Sequence, residues 1–168
     1  MIPMDKHAVM SPDRAYRYRL DRRWGSGQAV VFLMLNPSTA DADKDDATIR
    51  KCMGFARRWG NNAITVVNLY ARRETNPALL HNNPDPVGPS NDAYIEEAVR
   101  ETGAVIAAWG ASSAARLDRV RHVDHLVRRF TAWMCLDCTG QGHPRHPLMM
   151  PYAAKLRHWR LKEGRAGK

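Results

Sequence analysis

Four short apolar runs, separated by segments with helical periodicity, constrain the fold of this chain more than any other feature. The runs cover residues 29–35 (AVVFLML), 63–69 (AITVVNL), 104–109 (AVIAAW) and 132–136 (AWMCL). Each has the length of a strand, and the first three are almost continuously apolar, which is typical of parallel strands covered on both faces. The alternating segment 16–20 (YRYRL) instead predicts an edge strand with one face in water.

Helical patterns occupy the segments between these strands. We expect helices over residues 46–59, 90–101, 112–130 and 152–162. The first has Asp45 or Asp46 as its candidate N-cap and Gly60 just after its end. The third should bury Leu117, Val120, Val123, Val127 and Phe130 and turn Arg116, Arg119, Arg121, Arg128 and Arg129 largely toward solvent or a partner.

Strands that alternate with helices imply right-handed crossovers, so the pattern predicts a three-layer α/β/α fold. The sheet should contain four central, mostly parallel strands plus the N-terminal edge strand. The sequence has no Gly- or Ser-rich linker and no internal repeat. We therefore expect a single domain over residues 1–168, with a core of about 16–160 and a basic C-terminal tail.

The charge balance is consistent with a polyanionic partner. Lys and Arg number 26 against 17 Asp and Glu, a formal net charge of +9. Such an excess suits a nucleic-acid binder, but a solvated basic surface explains it equally well. No run approaches the roughly 20 apolar residues of a membrane span, and the N-terminus lacks the apolar core of a secretory signal. We therefore expect a cytoplasmic protein without a membrane partner.

The cysteines are few and odd in number, which favours reduced thiols over a disulfide framework. Cys135 and Cys138 form a CxxC pair, but no second CxxC completes a zinc site, so we interpret them as buried thiols at a strand end. The acidic cluster Asp41, Asp43, Asp45 and Asp46 has two interpretations, a divalent-cation site and a helix cap. The cap is the commoner fate of such residues, and we expect neither a metal nor a cofactor.

Polar or small residues follow each predicted core strand, at the edge where α/β sheets bind ligands. Asn36 begins the turn NPSTAD after the first strand, and Asn68 lies in the second, VVNLY. An Asn in an apolar strand is unfavourable unless its amide is hydrogen-bonded, so Asn68 either ties down its own loop or reads a ligand such as a nucleobase edge. The turn 110–113 (GASS) resembles an anion site at a helix N-terminus. The loop 140–148 (GQGHPRHPL) supplies two imidazoles and a guanidinium.

The known catalytic loop motifs GxSxG, GxxxxGK[ST] and GxGxxG are absent from the sequence. The four strand-end motifs instead resemble those of the uracil-DNA glycosylase superfamily. In that superfamily an acid or amide before a Pro orients the attacking water, an Asn at the end of the second strand reads the pyrimidine edge, and a His-Pro loop stabilises the departing base. The resemblance places Asn36 and Asn68 in the first two roles.

Two His-Pro pairs compete for the last role, His143-Pro144 and His146-Pro147, and neither is followed by the family's Ser. We prefer His146, because Leu148 and Met149 then form an apolar wedge that fills the space of an extruded base. The resemblance implies further contacts. Tyr70 and Trp24 are candidates for stacking on the base, and Ser38, Thr39, Arg72, Arg73, Gly110, Ser112, Ser113 and Arg145 are candidates for binding phosphates.

Residues 17–152 also resemble a bacterial family of unknown function marked by NPSTAD, DDxTIR, VVNLxARR, AWG and GHPRHPL. Together these patterns predict an enzyme that cleaves the N-glycosidic bond of an altered base in DNA. Two alternatives remain open: a hydrolase of free nucleosides or nucleotides, and a nucleic-acid or nucleotide-binding module without turnover.

Overall fold

The computed structural model describes residues 3–163 and contains a mixed α/β fold. Its strands are β1 (Asp5–Met10), β2 (Arg17–Arg23), β3 (Val30–Met34), β4 (Ala63–Asn68), β5 (Ala104–Ala107), β6 (Trp133–Cys135) and β7 (Arg157–His158). Its α-helices are α1 (Ala47–Arg58), α2 (Asn91–Arg100) and α3 (Leu117–Arg128). Within this range, none of the helices is long and apolar enough to cross a membrane.

The seven strands form one mixed sheet in the order β1-β2-β4-β3-β5-β6-β7. Strands β4, β3, β5 and β6 pair in parallel, whereas β1, β2 and β7 pair antiparallel to their neighbours. The predicted sheet of four strands plus one edge strand is therefore too small. The segment 16–20 was expected at the edge, but its residues 17–20 form the first part of β2, which lies between β1 and β4. This expectation was wrong because β1 (DKHAVM) has too few apolar residues to be recognised as a strand.

The alternating side chains of the central strands fill two apolar clusters, one on each face of the sheet. One cluster joins Val31, Leu33 and Val67 to α2 and α3. The other joins Phe32 and Val66 to α1. Because helices cover both faces, the parallel strands carry apolar residues at almost every position, with Thr65 and Asn68 of β4 as the exceptions, which is the pattern that the sequence displayed.

The first two helices lie close to their predicted positions, and the third differs. Helix α3 begins at Leu117, several residues after the expected start, because residues 112–116 form turns. Two residues expected in the core, Leu117 and Phe130, are exposed. Arg119 was expected to face outward, but it is buried and pairs with Asp92 of α2 at 2.7 Å.

The fourth predicted helix, over 152–162, does not exist. Its residues form a turn and then β7, in which His158 pairs with Met134 of β6. Trp159 is buried and packs edge-on against Trp109 and Trp133 at centroid distances of 5.1 and 5.5 Å. This aromatic packing and the added strand outweigh the helical periodicity. The end of the predicted basic tail, residues 164–168, lies outside the described residues.

Strand β2 contains a bulge that determines which way its arginines point. Opposite β1, the register passes from Val9 paired with Arg19 to Met10 paired with Arg17, so Tyr18 is the extra residue. Arg19 extends to Glu101 on the α2 side of the sheet, whereas Arg17 extends to Ala40, which belongs to the α1 side. In a regular strand these two side chains would share a face.

Candidate functional site

A cavity of about 350 Å³ lies at the carboxyl ends of the parallel strands, beside β3. Strands β4 and β5 flank β3 on opposite sides, so the strand order reverses at this point, which is where such sheets bind ligands. The volume lies within the range of about 300–1,000 Å³ that is usual for small-molecule sites. The lining includes six residues singled out from the sequence: Asn36, Ser38, Asn68, Gly110, Ser112 and His146.

Asn68, the last residue of β4, has a buried and unpartnered amide. Its side chain lines the cavity on the α1 side of the sheet, the residue is only 1% exposed, and neither Oδ1 nor Nδ2 has a hydrogen-bond partner among the described residues. The interpretation that Asn68 ties down its own loop therefore has no hydrogen bond to support it. A buried amide without hydrogen-bond partners lowers the stability of the protein. It is suited to bind a ligand that presents one acceptor and one donor.

Asn36 is held rigidly at the end of β3. Its Nδ2 donates to the carbonyls of Glu74 (2.7 Å), Pro37 (3.0 Å) and Arg72 (3.4 Å). These three acceptors fix the orientation of the amide and leave Oδ1 as its remaining acceptor. The fixed oxygen can accept a hydrogen bond from a water molecule or a ligand in the cavity.

His146 enters the cavity from the loop after β6. Its Nδ1 accepts a hydrogen bond from the backbone N–H of Leu148 at 3.2 Å, so in the neutral ring Nε2 carries the proton. Burial lowers the pKa of His146, and the nearby Asp46 carboxylate opposes this effect in part. Gly110 approaches closely from the end of β5, because a Cβ there would lie 3.5 Å from the His146 Cβ, and its φ of +78° favours glycine. The site thus contains a neutral Nε2–H donor.

The sequence analysis did not identify Arg17, Glu74 or the cavity-facing role of Asp46. Arg17 is 3% exposed, and its Nη1 donates to the carbonyl of Ala40 at 2.8 Å. Burial lowers the pKa of this guanidinium to about 10, so it still carries its charge at neutral pH. The family-like string DDxTIR was the available signal for Asp46 and Thr48, which both line the cavity. No comparable signal pointed to Arg17, because its direction depends on the bulge.

A second, open groove of about 560 Å³ shares Ser38, Glu74 and Thr75 with the cavity. Thr39, Arg72 and Arg73 line it, so four of the predicted phosphate contacts lie together beside the cavity mouth. Arg14 and Lys44 add two more cations, and Asp41 pairs with Arg14 at 3.5 Å. The groove is therefore rich in positive charge.

Five predicted residues line neither the cavity nor the groove. His143 is exposed and lines a different hollow near Trp159. Tyr70 is buried and its hydroxyl accepts a hydrogen bond from the Arg116 N–H at 3.2 Å. The others are Trp24, which packs beside the guanidinium of Arg57, Ser113, which is exposed, and Arg145, which pairs with Asp137.

The turn 110–113 also differs from its prediction as a helix N-terminus. Helix α3 starts at Leu117, so no helix dipole points outward at Gly110 or Ser112. The two residues reach the cavity as parts of an irregular turn. Any anion bound there would be held by local N–H groups and by Arg17 rather than by a helix end.

The acidic cluster forms a helix cap and local ion pairs. Asp46 is the N-cap of α1, and its Oδ1 accepts the Ile49 N–H at 2.9 Å. Asp45 pairs with the fully buried Arg22 at 2.7 Å. Within the described range no group of three His, Cys, Asp or Glu side chains could hold a metal ion.

The two cysteines of the CxxC pair follow the expected pattern of thiols at a strand end. Cys135 ends β6 and is buried, and its Sγ lies 3.5 Å from that of the half-buried Cys138. Burial, together with the Cys138 thiol, raises the pKa of Cys135 to about 12. Cys135 is therefore a thiol at neutral pH.

A larger cavity, of about 630 Å³, lies at the amino ends of the parallel strands β3 and β4. Its charged groups satisfy one another, since Arg19 pairs with Asp21 and Glu101, both at 2.9 Å, and the Thr65 hydroxyl donates to Asp21. Nothing in its lining is buried without a partner among the described residues. The smaller cavity, with its unpartnered Asn68, is the better candidate for a functional site.

The fold and site together define a mixed α/β protein with a cavity at the strand-order reversal. Residues 17–148 match the family described as "Protein of unknown function (DUF1643)", and because the match covers most of the chain, the protein belongs to this family. The matched segment includes Asn36, Asn68, Gly110 and His146. No curated protein matches the sequence.

Proposed function

We propose that this protein hydrolyses the N-glycosidic bond of an altered base in DNA. The observation that carries the proposal is the buried amide of Asn68, which has no partner in the described structure and lines a cavity of nucleobase-ligand size. An amide offers one acceptor and two donors in one plane, which matches the edge of a base that has left the helical stack.

The proposed reaction uses three side chains of the cavity. Asn36 Oδ1 accepts a hydrogen bond from the attacking water, whose oxygen forms a bond to the sugar carbon while the carbon–nitrogen bond breaks. The bonding electrons stay on the base, and the water releases one proton to solvent. His146 Nε2–H donates to the departing base and stabilises its negative charge, and the neutral ring that burial favours carries this donor. Asn68 holds the base during both events.

Two surface features favour DNA as the carrier of the base. The basic groove with Arg72 and Arg73 opens beside the cavity, where it can hold the phosphates that flank an extruded nucleotide. Leu148 and Met149, which follow His146, are 47% and 74% exposed. Exposed apolar side chains at this position can fill the gap that the base leaves in the duplex.

A second candidate is hydrolysis of a free nucleotide. The buried Arg17 favours it, because a guanidinium inside the cavity can bind a phosphate that belongs to the substrate itself. This alternative uses the same Asn36, Asn68 and His146 and requires no role for the groove.

The test is a panel of end-labelled oligonucleotides that carry uracil, hypoxanthine, thymine mismatches or hypermodified pyrimidines, scored for abasic sites. We expect the wild type to process at least one member and Asn36→Ala to lose about 10²-fold or more in rate, as other single preorganised catalytic groups do. Asn82→Ala is the matched control, because Asn82 is exposed and does not line the cavity. Thermal unfolding of each variant verifies folding.

Salt dependence separates the candidates. Binding to DNA should weaken steeply as salt rises, whereas turnover of a free nucleotide should change little. Specific binding without any abasic product would refute the enzymatic proposal and leave a binding module. Activity that survives in Asn36→Ala and His146→Ala combined would refute the assignment of the site.

A further inference from the structure

Arg17 is a buried cation without a carboxylate partner. Its side chain makes one hydrogen bond within residues 3–163, from Nη1 to the backbone carbonyl of Ala40, and its Nε has no partner. No ion pair involves Arg17 in this part of the chain. Charged groups inside proteins are normally paired, since they lose their hydration on burial.

The other buried arginines of the described structure follow that rule. Arg22 is fully buried, and its Nε lies 2.7 Å from the Asp45 carboxylate. Arg119 is buried, and its Nη2 lies 2.7 Å from the Asp92 carboxylate. Arg17 differs from both in its surroundings, because it alone of the three lines the candidate cavity. Its missing partner is therefore a property of the site.

The two carboxylates of the cavity lining have other partners. Asp46 Oδ1 accepts the N–H of Ile49 and so caps α1, and Glu74 Oε1 accepts the N–H of Asn76 at 3.0 Å. Neither forms an ion pair with Arg17. Coulombic attraction from Asp46 and Asp41 supports the buried charge in part, and repulsion from Arg73 and Arg22 opposes it.

The bulge at Tyr18 indicates that this placement is built into the strand. If β2 ran regularly through Tyr18, Arg17 would point to the same face as Arg19, where Glu101 and Asp21 provide partners. Bulges are common next to active sites, where they redirect single side chains. The strand thus carries an irregularity whose effect is to bring a cation into the cavity.

We infer that Arg17 binds an anionic oxygen group of the substrate, a phosphate or a carboxylate, inside the same cavity as Asn68. The inference rests on the proposed function, because it assigns a substrate class to that site. Two sources supply this chemistry: the phosphate of a nucleotide that occupies the cavity, and a carboxylate carried by the base itself. Both present paired oxygens that a guanidinium binds with charge-assisted hydrogen bonds.

The experiment measures binding by calorimetry for matched probes. The first pair is each of the four deoxynucleoside 5′-monophosphates against its deoxynucleoside. The second pair is one oligonucleotide with a central 5-carboxylcytosine against the same oligonucleotide with 5-methylcytosine. We expect the wild type to prefer the anionic member of at least one pair by roughly 10- to 100-fold, the range for hydrogen bonds to charged groups.

Three variants test whether Arg17 causes that preference. Arg17→Gln should remove it, and Arg17→Lys should keep part of it, because the ammonium retains the charge without the planar pair of donors. Arg19→Gln, on the same strand but the opposite face, should leave it unchanged. A preference in the first pair identifies the nucleotide phosphate, and one in the second pair identifies the base carboxylate.

Two results would overturn the inference. The first is equal binding of the anionic and neutral probes to the wild type, a measurement that does not depend on the folding of any variant. The second is a preference for the anionic probes that survives in Arg17→Gln. Abasic-site formation is measured separately on the oligonucleotides. A preference for the anionic probes that depends on Arg17, without abasic product, refutes the proposed hydrolysis and supports the anion site. Abasic product without that preference supports the hydrolysis and refutes the anion site.

Discussion

Replacing Asn68 by Leu should stabilise the free protein while it destroys the function of the cavity. Leu has the same branched shape as Asn, and it removes an amide that is buried without a hydrogen-bond partner in the described structure. An unsatisfied buried polar group costs about 1–3 kcal/mol. Relief of about 2 kcal/mol should raise Tm by roughly 4–8 °C in a chain of this size.

Asn91→Leu is the matched control. Asn91 is equally buried and its Oδ1 also has no partner among the described residues, but its Nδ2 donates to the backbone carbonyls of Asn68 (2.9 Å) and Leu69 (3.2 Å). Its replacement leaves both carbonyls without these donors, so the free energy of unfolding should fall by about 1–3 kcal/mol. Differential scanning calorimetry of the three proteins without ligand measures the two effects, which have opposite signs.

The reasoning is refuted if Asn68→Leu lowers Tm as Asn91→Leu does, since the Asn68 amide would then be satisfied in the free protein. Binding by the Asn68→Leu variant is measured with the substrate found in the oligonucleotide panel. Loss of binding together with a higher Tm is the combination expected of a residue kept for ligand recognition at the expense of stability.

Two further predictions concern the surroundings of the cavity. Because burial lowers the pKa of folded His146 below its usual value, the unfolded chain binds more protons as the pH falls through about 6.5, so acid should destabilise the wild type. In thermal unfolding between pH 8 and 5, His146→Gln should lose less stability than the wild type, and parallel pH profiles would contradict this account. Asp46→Ala removes the N-cap of α1 and should lower the free energy of unfolding in urea by about 1 kcal/mol, with Asp43→Ala as a control that does not cap a helix. An unchanged midpoint would show that the cap contributes nothing.

The sequence predicted the centre of the fold because continuous apolar runs are a strong signal for strands covered by helices on both faces. It did not predict the two outermost strands, β1 and β7. β1 and β7 contain few apolar residues and pair through their backbones, and backbone pairing leaves no mark on side-chain pattern. The segment 152–162 has helical periodicity, but burial of Trp159 against two other tryptophans determines its structure.

The candidate site was predictable where a residue lies at the carboxyl end of a parallel strand or in the loop that follows it. Asn36, Asn68, Gly110 and His146 reach the cavity because parallel strands end at the same edge. Tyr70 was unpredictable in this sense: continued alternation would place it on the cavity side with Asn68, but the chain leaves β4 after Asn68, and Tyr70 packs with Leu69 in the cluster on the α2 side. Arg17 was missed for a related reason, since local irregularity in β2 reverses a direction that the pattern YRYRL implies.

The bulge in β2 makes one position of the chain tolerant of a change in length as well as in residue type. Tyr18 is unpaired with β1, so other side chains of similar size at this position leave the register as it is. Deleting the residue would restore regular pairing and make Arg17 the direct neighbour of Arg19, and Arg17 would still point to the α1 side because neighbouring residues of a regular strand face opposite sides of the sheet. The bulge thus lets the strand carry one extra residue without losing the cation of the cavity, and relatives that share this pocket should place a basic residue either one or two positions before the residue equivalent to Arg19.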